Sequence, residues 1–218
     1  MADLLVIDLE MCKVDRNVTK GSGVYLDHEI IEIGACILGK KNKIRDEWKS
    51  YVRPQHGSLD SYISELTGIK DIDLSMAPVL ADALKKMANW INGRELTAVS
   101  WSDTDEIQLS IEMEQKGIKN EVIEKLLTDW ADIQKSYDRL TKATRSTSLE
   151  NAMRAEGVRP DGRLHDGADD ARNTALLIAK LFEEGKELEM EPINQTFEYH
   201  DDANDEFNVS PFAGLFKF

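Results

Sequence analysis

The sequence predicts an α/β fold, a sheet packed by helices, in one domain over residues 1–186 followed by an acidic tail over 187–218. Three observations predict it. An apolar run rich in β-formers, Leu4-Leu5-Val6-Ile7-Asp8-Leu9-Glu10, starts almost at the N-terminus, and two further runs of this kind follow. Later segments change to apolar spacings of three and four, the period of a helix face. The 218 residues, 41% hydrophobic and 31% charged, suffice for one well-buried domain with a tail.

In the first strand, alternation sends Ile7 and Leu9 to one face and Asp8 and Glu10 to the other. A polar stretch with Lys13, Arg16, Lys20 and Gly21-Ser22-Gly23 leads to a second strand, Glu29–Leu38, and a third, Lys43–Val52, so the opening reads as an antiparallel meander. Leu59–Thr67 is a short helix closed by Gly68. Pro78–Ile91 carries Val79, Leu80, Leu84, Met87 and Ile91 at helical spacing and should pack on the sheet. Leu96–Val99 is a buried strand, Asp105–Gln115 a helix, and Trp130–Ile133 a short strand after Val122–Leu127. Thr147-Ser148 cap a helix to Ala155, with Glu150 three residues after Thr147 in capping-box register. Asp169 or Asp170 opens the last long helix, Ala171–Glu184.

No apolar stretch reaches the roughly 18 residues that a membrane span needs, and no signal peptide is expected, because the short N-terminal apolar run already contains Asp8 and Glu10. Cys12 and Cys36 lack metal-site spacing and suggest a reduced, cytoplasmic protein. The net charge of -14 argues against a nucleic-acid partner until its distribution is considered: residues 181–218 hold ten acids against Lys186 and Lys217, a net of -8, which leaves -6 on residues 1–180. The acidity is mostly a tail property and does not exclude an anionic substrate.

Three constellations carry chemistry. Asp8 and Glu10 stand side by side in a strand whose flanks read as buried, where a divalent metal removes the cost of adjacent charges; a solvated edge strand is the plain alternative. Asp103 and Asp105 follow Trp101 where a buried strand hands over to a helix, the place where ligands gather in open α/β sheets; helix capping explains one of these acids without needing both. His165 lies in a loop ahead of a helix whose first turn carries Asp169 and Asp170. Acids there also complement the helix dipole, but a His just before the helix and an acid one turn in look at the same point.

In this order and spacing, Asp8-x-Glu10, Asp105 followed by Leu109, and His165-x4-Asp170 resemble the three motifs of the DEDDh, or DnaQ-like, 3'-5' exonucleases. Glu29-Ile30-Ile31-Glu32-Ile33-Gly34-Ala35, Leu66-Thr67-Gly68-Ile69 and Ser148-Leu149-Glu150-Asn151-Ala152 look like further segments of that family, so the resemblance spans residues 3–184. It implies a ribonuclease-H-like mixed five-stranded sheet flanked by helices. It also implies two Mg2+ or Mn2+ ions, with Asp8 bridging both, Glu10 and Asp170 on the first, Asp105 on the second, and His165 as general base. The implied reaction is hydrolysis of single-stranded RNA or DNA from the 3' end to nucleoside 5'-monophosphates. Trp101-x-Asp103-x-Asp105 is similar to the histone-mRNA-type and related bacterial subgroup, whereas Asp8-Leu9-Glu10-Met11 looks like the opening of oligoribonuclease; the longer motif favours RNA.

Leu9, Met11 and Trp101 are candidates to wedge or stack against the terminal base, a contact worth about 1 to 3 kcal/mol. Core packing is their plain alternative. Lys13, Arg16 and Lys20, and a basic face of Lys135, Arg139, Lys142 and Arg145 if helical, are candidates for backbone phosphates. The apolar chain end, with Phe212, Leu215 and Phe216, packs on the body or docks on a protein partner such as a sliding clamp. Two rival functions stand beside the first: a proofreading-type DNA exonuclease tethered to a polymerase or clamp, and a non-catalytic nucleic-acid-binding module. The last predicts a missing ligand, and none of the five expected side chains is absent.

Overall fold

The computed structural model describes residues 2–15, 19 and 24–193. Strand β1 (Asp3–Val14) divides the core by its alternation: Leu5, Ile7 and Leu9 enter one apolar cluster, and Leu4 and Val6 enter another on the opposite face. Asp8 and Glu10 continue the Leu4–Val6 side.

β2 (His28–Gly39) pairs antiparallel with β1, and β3 (Lys43–Tyr51) antiparallel with β2, as the meander predicts. β4 (Gly57–Ser58) pairs with the far end of β1. β5 (Leu96–Ser100) runs parallel to β1, and β6 (Ala131–Asp132) parallel to β5. The sheet is therefore mixed, in the order β3-β2-β1-β5-β6, with six strands rather than five. The additional one, β4, is two residues long, too short to leave an alternating pattern.

Eight helices follow among the described residues: α1 (Ser61–Thr67), α2 (Asp71–Ser75), α3 (Leu80–Ile91), α4 (Thr104–Gln115), α5 (Glu121–Thr128), α6 (Ile133–Thr141), α7 (Leu149–Ala155) and α8 (Gly167–Glu183). The buried stripe of α3, with Leu80, Leu84, Met87 and Ile91, joins Leu109 and Met113 of α4 on the Leu5–Leu9 face. On the other face Tyr137 of α6, Met153 of α7 and Ala171, Ala175 and Ile178 of α8 cover Leu4 and Val6. Burying each large apolar side chain contributes about 1.5–3 kcal/mol, so the two clusters clamp the sheet from both sides.

Three expectations are corrected. Helix α8 begins four residues earlier than the apolar pattern suggests, because Asp166 caps it by accepting from the amides of Ala168 and Asp169. Ser148 rather than Thr147 caps α7, accepting from the Asn151 amide, and this leaves Glu150 one position too early to close a capping box. The segment read as tail also begins on the body. Leu188, Met190 and Ile193 pack on the two clusters, and the Ile193 amide donates to the Trp130 carbonyl. Arg16, Lys20, Phe212, Leu215 and Phe216 lie outside the described residues. Among those described, no helix is long and apolar enough to cross a membrane.

Candidate active site

The site forms where β1, α4 and the start of α8 converge. Asp8 and Glu10 are half-buried on β1, while Asp105 and Asp170, near the starts of α4 and α8, are buried. Asp105 is fixed to β1 directly: its Oδ1 accepts the amide of Leu9, the residue between the two strand acids, at 2.9 Å. This bond explains why Asp105 rather than Asp103 belongs to the cluster. Asp103 points outward and pairs with Lys135 at 2.5 Å.

On the α8 side, Glu10, His165 and Asp170 offer ligand atoms that all lie within 4.8 Å of one another. His165 is exposed and adopts φ 61, a left-handed conformation uncommon for non-glycine residues, though less so for His, Asn and Asp than for the rest. Its amide donates to Asp170 Oδ2 at 2.8 Å, which ties the loop to the helix it precedes. Gly34 and Gly167 make this convergence possible. Gly34 pairs with Asp8, and a Cβ on it would stand 2.0 Å from the Gly167 carbonyl carbon, so only glycine lets α8 start against the sheet here.

The carboxylates raise one another. Burial, then Asp105, Glu10, Asp170 and Glu32, push Asp8 well above its ordinary value. Burial and then Glu32, Asp170 and Asp105 push Glu10 up to about 8. Burial pushes Asp105 up to about 7 against the pull of the Leu9 amide. Asp170 is raised by burial, although the His165 amide, His165 itself and Asn173 draw it back. Among the described residues no lysine or arginine pairs with these four carboxylates, and Asp170 Oδ1 is buried without a well-formed hydrogen bond. An oxygen-rich, mutually repelling donor set with one imidazole fits a hard divalent cation.

Glu32, read in the sequence only as part of a family-like strand, is a site residue that sequence reasoning missed. It lies on β2 directly opposite Glu10, fully buried, with Oε1 3.0 Å from Lys49 Nζ and Oε2 without a hydrogen-bond partner. The available signal was a second glutamate inside a strand whose every neighbour is apolar. Of the residues expected to meet the terminal base, Leu9 and Trp101 are core, 6% and 8% exposed. Trp101 packs on Tyr137 and donates from Nε1 to the Thr147 carbonyl. Met11 keeps partial exposure. The expected basic face does not form: α6 ends at Lys142, which turns left-handed at φ 57, and Lys135 and Arg139 are engaged by Asp103, Asp132, Glu189 and Glu191.

Residues 5–178 match the exonuclease family RNase_T. The 3'-5' exoribonuclease 1 of Mus musculus is 31% identical over 192 residues, which cover 82% of this chain and 54% of that protein. The 3'-5' exonuclease eri1 of Schizosaccharomyces pombe is 26% identical over 215 residues, 85% of this chain and 70% of that one. The chain thus spans about half the length of the first of these relatives, 54%. Among solved structures, the nuclease domain of 3'hExo, a DEDDh family member bound to rAMP, matches with TM-score 0.74 and 26% identity over 87% of this chain and 96% of that one. A 3'-exonuclease described in 3'-end-specific recognition of a histone mRNA stem-loop matches with TM-score 0.74 and 25% identity over 87% and 85%.

Proposed function

The chain belongs to the RNase_T exonuclease family, and on that footing we propose that it is a metal-dependent 3'-5' exonuclease that shortens single-stranded RNA from its 3' end and releases nucleoside 5'-monophosphates. The observation that carries this reading is the meeting of Glu10, His165 and Asp170 within 4.8 Å, with Asp105 bound to the Leu9 amide of the same strand and Asp8 in electrostatic reach of Asp105, Glu10 and Asp170. RNA is favoured over DNA because the similar proteins from mouse and fission yeast include one named as an exoribonuclease.

Asp8, Glu10, Asp105 and Asp170 would hold the divalent ions, two of Mg2+ or Mn2+. When bound, such ions lower the pKa of the attacking water and stabilise the leaving 3'-oxygen. The chain's own residues do the rest. The Leu9 amide holds Asp105 against β1. His165 takes the proton of the attacking water and, being exposed, hands it to solvent. Of the three candidates for a terminal base, Met11 alone keeps partial exposure, and it does so while packing on the Leu5–Leu9 cluster.

The test is degradation of 5'-labelled single-stranded RNA and DNA of one sequence in Mg2+ or Mn2+, with Asp8→Ala as control. A ladder shortening from the 3' end, faster on RNA and absent in the variant, is the expected result. Folded protein that cleaves neither strand would overturn the proposal.

A further inference from the structure

The sheet's edge strand grips the catalytic loop. Glu47 and Lys49 project from the same side of β3, and both reach the first turns of α8. Arg172 donates to both oxygens of Glu47 at 2.9 Å and, through Nη1, to Asp169 Oδ1 at 2.5 Å. Lys49 Nζ lies 2.6 Å from Asp166 Oδ2 and 3.0 Å from Glu32 Oε1. The other Asp166 oxygen accepts the two amides that open α8. The loop before the helix is strapped to it in turn: the amides of Asp161, Arg163 and His165 donate to Asn173 Oδ1, Asp169 Oδ2 and Asp170 Oδ2 at 2.8, 2.7 and 2.8 Å. His165, at φ 61, needs such surroundings to keep its backbone where it is.

We propose that Lys49 is a positioning residue: by holding Asp166 and Glu32 on one ammonium group, it fixes the His165 loop and the start of α8 against the acids of β1. The inference rests on the exonuclease reading above. Lys49 is the only cation of the described residues paired with either Glu32 or Asp166. Glu32 stands opposite Glu10 and is fully buried. Without Lys49 the Glu32 and Asp166 carboxylates repel, and the mobile member is Asp166, because Glu32 is held in the middle of a paired strand. The Glu47–Arg172 pair keeps the body of α8 docked, so the displacement is confined to the loop and the first turn.

The experiment uses the full chain with Lys49→Met, Lys49→Arg, Glu32→Gln and the double variant Lys49→Met/Glu32→Gln. Two readouts are taken: steady-state cleavage of 5'-labelled single-stranded RNA, and the rate of tryptic cleavage after Arg163 measured by mass spectrometry. Lys49→Met should lower kcat on the order of 10- to 100-fold with KM within about twofold, and should speed cleavage after Arg163. Lys49→Arg should restore most of kcat, and the double variant part of it, because no unpaired buried carboxylate is left. If Lys49→Met turns over like the wild type, the inference is wrong. It is equally wrong if KM rises while kcat stays, which would make Lys49 a substrate contact, or if Lys49→Arg is as slow as Lys49→Met. Should Lys49→Met not fold, Lys49→Arg and the double variant carry the same comparison. Should the wild type not cleave RNA, the functional reading fails by itself, and protection of the Arg163 site decides the positioning role alone.

Discussion

Replacing Gly34 by alanine should separate the geometry of the site from its chemistry. The new Cβ would lie 2.0 Å from the Gly167 carbonyl carbon, 2.1 Å from the Ala168 nitrogen and 2.2 Å from the Gly167 oxygen, all backbone atoms. Ordinary contact begins at 3.4 Å, so the start of α8 must retreat by about 1.4 Å from β2. That segment carries Asp166 and, one turn on, Asp170, whereas Asp8 stays on β1 beside position 34. Overpacking of this kind costs about 1–3 kcal/mol, which for a domain of this size lowers Tm by roughly 2–12 °C. The effect on turnover should be larger in proportion, because a displacement near 1 Å at reacting groups reduces rates about 100-fold. Gly39→Ala, on the same strand, is the control. Its Cβ would meet the Arg45 side chain, 53% exposed and able to swing away at the cost of its exposed pair with Asp3. It should stay within about 0.5 kcal/mol of wild type. Exonuclease turnover and thermal unfolding of the two variants, side by side, make the assay. Wild-type turnover and Tm in Gly34→Ala would refute the claim that the glycine contact sets the distance between Asp170 and Asp8.

Other expectations follow from the electrostatics. In metal-free protein Glu10 and Asp105 titrate near 8 and 7, above their ordinary 4.5 and 3.8, so the folded state keeps protons that the unfolded chain has released. Stability in EDTA should therefore fall as pH rises from about 4.5 to about 8, by up to about 1.4 kcal/mol per proton and pH unit. His28, lowered by burial, acts in the opposite sense only below pH 6.5. Added Mg2+ or Mn2+ should raise Tm more at pH 8 than at pH 5, and a Tm in EDTA that is flat from pH 5 to 8 would contradict the arrangement. Asp8→Asn should abolish metal binding in calorimetry and turnover while leaving Tm unchanged or higher, since a repelled carboxylate is removed. His165→Ala should keep metal binding and lose about 100- to 10,000-fold in turnover; retention of full activity would exclude it as the base. Far from this site, Lys116 is 7% exposed and pairs with Glu29 at 2.6 Å and Glu112 at 2.7 Å, both fully buried. Lys116→Met leaves both without a cation and should cost about 3–5 kcal/mol in urea unfolding. A loss under 1 kcal/mol would show that the glutamates take up protons instead.

What could be read from the sequence, and what could not, divides along the range of the interactions involved. The strands of the meander and the helix Leu80–Ile91 were legible because alternation and helical spacing are local, and burial enforces them along each element. The acids of β1 and the pair His165 and Asp170 were legible for a related reason: a strand or a helix turn fixes which near neighbours share a face. The start of α8 was misplaced because apolar periodicity begins at Ala171, while the helix is started by a polar cap at Asp166 that leaves no periodic trace. Trp101 looked available because its sequence neighbours are polar, yet its ring is buried by Tyr137, which is brought there by a helix 36 positions on. Glu32 and Lys49 show the limit most clearly. Glu32 sits in an apolar strand and Lys49 in a strand of alternating charge, and nothing local links either to position 166. Their relation arises only when two antiparallel pairings place β3 and β2 beside the start of α8. The groups proposed to carry the chemistry were thus open to inspection in one dimension, whereas Lys49 meets Asp166 across 117 positions, a contact that no local pattern shows.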